Sequence, residues 1–345
     1  MSRQTILIGL SGPSSSGKTT LARLLRTIFD LEVSTTTTAT TTTTSTPTTT
    51  ATATATAARP TRWKLTLFVL HEDDFYKTDQ DVPIVSASSP EFGTRDLQDW
   101  DCVESLDLPL LERTLRHVRD HGTLPAEMAS KEDQNAIGPS GISDSEVARV
   151  KDQVAAWFDR VVQDHVAASK NQNQNKSDPT TPDLSGRATS NIGDSHEIRI
   201  CVLDGFLLYP EPPEPTLSSS PSSSAPLLAH LHDISRTVLD RRLFLPVTRD
   251  QMLSRRLART GYVTLEGFWV DPPGYVEDIV WPNYARDHAW MFVGGDVEAG
   301  TFDQAQCRQQ GVDVCPGQGT LDMRHVLDWA VARLEDAVVQ KLSSS

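Results

Sequence analysis

The run Gly12-Pro13-Ser14-Ser15-Ser16-Gly17-Lys18-Thr19 sets two glycines ahead of a lysine and a hydroxyl side chain. Placed between a strand and a helix, this spacing holds phosphates. The glycines let successive backbone N–H groups curl around the anion, and the helix N-terminus adds a favourable dipole. Lys18 is then expected to reach the β- and γ-phosphates, and Thr19 to offer its hydroxyl to Mg²⁺. Gly12 to Thr20 therefore form the candidate nucleotide site, with Lys18 and Thr19 in the chemical roles.

Phosphate loops of this kind work with a hydrophobic strand that ends in a carboxylate near the metal. Two segments qualify, Phe68 to Asp73 and Ile200 to Asp204. A carboxylate at a strand end can also be an ordinary turn or cap residue; beside a phosphate loop the chemical reading gains. A guanine-specific switch protein should carry an Asn-Lys-x-Asp base reader. The only Asn-Lys pair, Asn175-Lys176, falls in a polar linker, which favours a small-molecule kinase. Such a kinase needs cations over the transferring phosphoryl group, and Arg255, Arg256 and Arg259 share one basic segment. A solvated basic face is the plain alternative.

The elements that must position these groups follow from periodicity. Thr5 to Leu10 reads as a short buried strand, and Leu21, Leu24, Leu25 and Ile28 then recur at helical spacing. Leu65 to Leu70, Ile198 to Leu203 and Arg242 to Val247 read as further strands, and Ala289 to Val293 as the last. Helices are expected after Asp107, with Asp107 as N-cap and Gly122 near the stop, over 143–166 with capping-box spacing between Ser143 and Glu146, over Arg249 to Thr260, and over Met323 to Leu342. Strands separated by helices imply an α/β fold, a mainly parallel sheet flanked by helices, with ligands at the strands' C-terminal ends.

Three stretches stand apart. Residues 34–58 are almost all Thr and Ala, 127–197 are polar around the helix at 143–166, and 211–226 are rich in Pro and Ser. Such compositions bury too little apolar surface to offset their ordering entropy. Without them roughly 230 of the 345 residues remain, enough for one compact domain over 1–345, with 249–262 as its lid. The formal charge of −14 argues against a nucleic-acid partner or an anionic membrane surface, because phosphate neutralisation needs clustered Lys and Arg. The four cysteines form no Cys-x-x-Cys pair, so reduced thiols in the cytoplasm or nucleus are expected. No apolar run approaches the roughly 18 residues of a membrane span.

Beyond the loop, the chain resembles the nicotinamide riboside kinases, within the wider uridine-kinase-like group of phosphate-loop kinases. The resemblance rests on Leu7 to Leu21, His71-Glu72-Asp73-Asp74-Phe75-Tyr76-Lys77, Trp100-Asp101, Leu203-Asp204-Gly205-Phe206-Leu207-Leu208 and Arg255 through Tyr262. Gly267 to Tyr275 and Val280 to Tyr284 are similar to the fungal branch of that family. It implies a phosphate-loop kinase with a helical lid, which transfers the γ-phosphoryl of ATP, with Mg²⁺, to the 5′-hydroxyl of nicotinamide riboside, and to nicotinic acid riboside as a second substrate.

By the same resemblance Asp73 matches the proton acceptor and magnesium partner beside Thr19, with Asp74 its easily confused neighbour, and Asp204 a second catalytic carboxylate. Phe75 and Tyr76 match residues that line the nucleoside. Trp100 and Asp101 match an aromatic and a carboxylate that hold the pyridine ring and the ribose hydroxyls. Trp100 replaces the more usual Tyr, and Asp204 the more usual Glu. Core packing is the competing reading for Phe75, Tyr76 and Trp100. Arg255 or Arg256 should clamp the ribose or the phosphates, and Arg259 and Tyr262 complete the lid; Arg255 is assigned to the substrate, and Arg256 and Arg259 to ATP. The adenine contacts fall to Gly295, Asp296 and Val297. A uridine/cytidine or other small-alcohol kinase is the nearest alternative, and a non-catalytic ATP-binding regulator the alternative of another class.

Overall fold

The computed structural model describes residues 2–35, 60–128, 130, 138–174, 195–212, 224–259, 261–263 and 267–344, without the side chains of 170–174. Its centre is a six-stranded sheet. In chain order the strands are β1 (Ser2–Ser11), β2 (Leu31–Thr35), β3 (Thr61–His71), β6 (Ser195–Gly205), β7 (Arg241–Phe244) and β10 (Val312–Val314), arranged β10-β7-β1-β6-β3-β2. All neighbours run parallel except β2, which pairs antiparallel with β3 at the edge. Two small hairpins lie outside it, β4 (Ile84–Ser89) with β5 (Gly93–Gln98) and β8 (Tyr262–Val263) with β9 (Phe268–Trp269).

The strands are near-continuous apolar runs because both faces of a parallel sheet are covered. Alternation sorts them. Ile6, Ile8 and Leu10 of β1, Leu65, Leu67 and Val69 of β3, and Ile198, Ile200 and Val202 of β6 enter one core. That core is completed by α1 (Lys18–Ile28), α3 (Asp144–Gln174) and α8 (Met323–Ser343). Leu7, Leu70, Cys201 and Leu203 point the other way, toward α2 (Leu108–His121), α4 (Ala225–Val238), α6 (Trp281–His288) and α7 (Gln304–Gln309).

The strands come out one to four residues longer than the apolar runs at either end, except β7, which stops at Phe244. Asp107 caps α2 through Leu110 N at 2.9 Å, and Gly122 ends it in a left-handed conformation. The reciprocal Ser143–Glu146 capping bonds are also present. The helix they start extends past 166 to Gln174, into a tract expected as loop. It is not a polar appendage: Val150, Val154, Phe158 and Val162, one turn apart, are all fully buried against the core of α1 and α8.

The segment Ala289 to Val293 is not a strand. It folds into two short 3₁₀ turns, Ala289–Met291 and Val293–Gly295, with only a single bridge from Phe292 to Phe302. Gly294 and Gly295 both take positive φ, which ends any extended ladder there. The last strand is instead β10. α5 spans Arg249–Leu257, shorter than the expected helix, behind a Thr248–Gln251 capping box. α4 had no counterpart in the periodicity reading, since its start lay inside the Pro/Ser stretch. Of the low-complexity runs, 36–58, 175–194 and 213–223 lie outside the described residues. No helix among the described residues is long and apolar enough to cross a membrane.

Candidate active site

Register decides which side chains meet. In the parallel ladders Asp204 stands opposite Leu10 on one side and His71 on the other, and Ser11 stands opposite Gly205. The C-terminal ends of β1, β6 and β3 therefore finish level. The phosphate loop follows β1, the Glu72–Phe75 turn follows β3, and Asp204-Gly205 closes β6. A cleft of about 1230 Å³, counting the space open to solvent, lies above these ends.

The loop wraps tightly because of its glycines. A Cβ on Gly12 would overlap the Leu245 carbonyl, and both Gly12 and Gly17 take positive φ. Lys18 is buried at the first position of α1, and its Nζ donates to the Gly12 and Pro13 carbonyls at 2.8 and 3.1 Å. Burial lowers its pKa, against the opposing charges of Asp204, Asp73 and Glu72. Thr19 Oγ1 donates to Asp204 Oδ2 at 2.6 Å, and His71 Nδ1 lies 3.3 Å from that same oxygen. Burial would raise the Asp204 carboxyl. The His71 hydrogen bond, the Lys18 charge and the Thr19 hydrogen bond outweigh it and hold Asp204 below the usual range.

Beneath the turn, Glu72 is fully buried and accepts from the Phe206 and Leu207 amides at 2.7 and 3.1 Å. It ties the end of β3 to the backbone just after Asp204. A Cβ on Gly205 would come within 2.6 Å of Glu72 Oε2 and of Leu208 Cδ2, so any larger residue there would displace them. Burial pushes the Glu72 carboxyl up to about 7, although the two amide bonds favour the ionised form. Asp73 and Asp74, next along the turn, line the cleft.

The far end of the cleft is aromatic and charged. Tyr76 meets Trp100 edge-on at 5.3 Å, and Trp100 faces Trp269 at 5.9 Å. Trp100 N donates to Tyr275 Oη at 3.0 Å. Asn283 Nδ2 donates to both Asp99 oxygens and to the Asp101 carbonyl, while Asp101 N donates to Asp99. This frame fixes the Trp100-Asp101 backbone. The Asp101 carboxylate receives Arg256 Nη1 and Nη2 at 3.1 and 3.3 Å. Burial alone would lower the Arg256 pKa, yet Asp101 and Asp271 among its neighbours raise it well above the usual value.

Of the residues singled out from the sequence, Ser14, Ser15, Gly17, Lys18, Thr19 and Thr20 line the loop side of this cleft; Asp73, Asp74, Tyr76, Trp100, Asp101, Asp204, Arg256, Arg259 and Tyr262 line the rest. Gly12, Pro13, Ser16, Phe75, Arg255 and Asp296 are not among its lining residues. Phe75 is wholly buried in the core with Leu106 and Leu108, because the 3₁₀ turn after β3 rotates it away from the cleft. The adjacent arginines, between which the sequence does not choose, point apart: Arg255 Nη1 reaches the Ser15 carbonyl at 3.3 Å on the loop side, whereas Arg256 is turned toward Asp101 at the aromatic end. Asp296 lies outside the cleft wall and accepts from Ala299 N at 3.0 Å, ordinary turn chemistry beside Gly295 and Val297.

The sequence reading assigned no role to His71, Lys77, Asp79, Phe206 and Trp269, which also line the cleft. All but Asp79 stand inside the segments that carry the resemblance. Only strand register and the β8–β9 hairpin bring them to the site.

No protein-family model matches the chain. Three curated fungal proteins do resemble it, each named nicotinamide riboside kinase. The one from Schizosaccharomyces pombe is 28% identical over 338 residues, covering 98% of this chain and all of the relative. Those from Saccharomyces cerevisiae and Eremothecium gossypii are 26% and 25% identical, each over 86% of this chain, and 83% and 81% of the relatives.

Proposed function

We infer that this chain is a nicotinamide riboside kinase of the phosphate-loop fold, which transfers the γ-phosphoryl of ATP to the 5′-hydroxyl of nicotinamide riboside in NAD salvage, with nicotinic acid riboside as a second substrate. The observation that carries the reading is the pairing of two unlike ends in one cleft. A phosphate loop with Lys18 and Thr19 faces an aromatic wall of Tyr76, Trp100 and Trp269 with the Asp101–Arg256 pair at its edge. Flat cationic rings are held by aromatic faces, most strongly by Trp. Vicinal ribose hydroxyls suit a carboxylate and a guanidinium side by side. The near full-length similarity to three proteins of that name supports the same substrate.

In this reading the loop amides and Lys18 hold the phosphates of ATP. Lys18 exchanges the Gly12 and Pro13 carbonyls for phosphoryl oxygens, a stronger charge-assisted contact. Asp73 orients the 5′-hydroxyl and takes its proton as the O–P bond forms; in a loose phosphoryl transfer this positioning counts for more than basicity. Arg259 supplies positive charge toward the transferred group. The oxygen donors Thr19, Asp204 and Asp73 suit a hard divalent cation such as Mg²⁺. When bound with ATP it neutralises charge on the β- and γ-phosphates.

The deciding assay follows ADP release by purified protein with Mg-ATP and a panel of nicotinamide riboside, nicotinic acid riboside, uridine, cytidine and pantothenate. Turnover confined to the two pyridine ribosides supports the proposal. Turnover on uridine or cytidine instead moves the chain to a pyrimidine nucleoside kinase, and ATP binding without turnover on any of the five replaces the enzyme with a regulator.

A further inference from the structure

Arg256 is shared between two carboxylates. Its Nη1 and Nη2 meet Asp101, while its Nε and Nη2 meet Asp271 at 2.7 and 3.1 Å. Asp271 Oδ1 also accepts the indole N–H of Trp269 at 2.9 Å. One side chain thus holds both the guanidinium beside Asp101 and the ring that faces Trp100. The guanidinium is a planar fork, so two bidentate partners on different edges fix its plane as well as its position.

The backbone under Asp271 is itself held. Asp271 precedes Pro272-Pro273, which restricts it to extended conformations. Arg95 of β5 donates from Nη1 to the Pro273 carbonyl at 2.6 Å and from Nη2 to Asp278 at 2.9 Å. Gly274 then turns with positive φ against the Phe92 ring, where a Cβ would come within 2.5 Å. Arg256 and Trp269 belong to different elements, α5 and β9, and neither hydrogen-bonds the other. Asp271 is their common partner.

On the reading that the aromatic end binds the nucleoside, we propose that Asp271 is a positioning residue for acceptor recognition, which sets the Arg256 guanidinium and the Trp269 ring in one geometry and so tunes affinity for the riboside rather than for ATP. Asp271 is not among the residues that line the cleft. Its loss should free Arg256 to swing off the Asp101 edge and Trp269 to tilt, while Lys18 and Thr19 stay where they are.

The experiment compares the full-length wild type with Asp271→Ala, Asp271→Asn and Asp271→Glu, measuring kcat and the KM of each substrate, thermal melting, and the ¹H–¹⁵N signal of the Trp269 indole, assigned with Trp269→Phe. Losing a hydrogen-bonded charge partner should raise the riboside KM about ten-fold or more in Asp271→Ala, with the KM of ATP within about two-fold. Asp271→Asn keeps an acceptor for one donor and should fall between, and the Trp269 indole signal should move in Asp271→Ala without any ligand. An unchanged riboside KM overturns the proposal. So does a KM that rises equally for both substrates with a lowered melting temperature, which marks a merely structural carboxylate. If the wild type turns over no riboside, the substrate reading falls on its own; the latch is then judged by the indole signal, whose indifference to Asp271→Ala overturns it.

Discussion

Thr19 of the phosphate loop and Asp204 of β6 are joined by a 2.6 Å hydrogen bond. The bond joins two side chains expected to serve the nucleotide's metal, and His71 braces the carboxylate from the neighbouring strand. Of the two strand-end carboxylates, Asp204 is the one tied to Thr19, and Asp73 stands on the turn after β3. This division allows their roles to be separated by experiment.

Asp204→Asn retains an acceptor for Thr19 but removes the charge, and should weaken binding of Mg-ATP with a steep dependence on Mg²⁺ concentration. Asp73→Asn should instead lower kcat much more than it weakens Mg-ATP binding, by roughly a hundred-fold or more, because it loses both the orientation and the base that serve the acceptor hydroxyl. Equilibrium nucleotide binding and steady-state kinetics on both variants check this. Equal effects of the two substitutions on both quantities would remove the distinction.

Lys18→Ala should reduce kcat by about 10²–10³-fold, the usual loss when one preorganised donor to developing charge is removed. The fold should survive, because among the described residues the Lys18 Nζ hydrogen bonds go to the Gly12 and Pro13 carbonyls of the loop. Near-normal turnover in a variant with an unchanged melting temperature would contradict the loop assignment.

Glu72 gives a pH prediction with a definite sign. Its carboxyl rises from 4.5 to about 7 on burial, so the folded state holds a proton that the unfolded chain releases. The stability this contributes is complete below the unfolded value and is lost as pH rises through about 7, by at most about 3 kcal/mol for a shift of that size. Glu72→Gln keeps an acceptor for the Phe206 and Leu207 amides, so the wild-type curve of stability against pH should fall relative to that of the variant between about pH 5 and 8. Parallel curves from denaturant titrations would contradict a raised carboxyl.

Trp100→Ala should raise the KM for nicotinamide riboside by about 5- to 30-fold, the equivalent of a desolvated cation–π contact of roughly 1–2 kcal/mol. Trp100→Phe should recover much of the loss. The KM of ATP serves as the internal control, and a matching rise there would assign Trp100 to packing alone.

Phe158→Ala tests the inserted helix. Phe158 is fully buried, so its truncation should cost about 3–5 kcal/mol in chemical denaturation. A change under about 1 kcal/mol would mean that α3 docks only loosely.

Local patterns carried much of this in the sequence. The phosphate loop, the apolar runs ending in Asp73 and Asp204, the Asp107 and Ser143 caps, and the closing helix are all short-range signals, written in spacing over a few residues or one helical stripe. Elements whose character depends on distant partners were less legible. Ala289 to Val293 has strand-like residues, but the positive-φ Gly294 and Gly295 that follow it and its position straight after α6 leave it no ladder to join. α3 looked like an island in polar sequence, and its stripe of Val150, Val154, Phe158 and Val162 gains meaning only from α1 and α8.

The sequence by itself therefore determined which chemical groups the protein carries and at which strand ends they sit, because those depend on covalent neighbours. Tertiary structure decided which groups touch. Strand register brought His71 to Asp204, a 3₁₀ turn sent Phe75 into the core, and helix phase gave Arg256 rather than Arg255 to Asp101. Adjacent residues on a helix differ by about 100° in direction, so composition cannot choose between them, whereas the fold around the helix can.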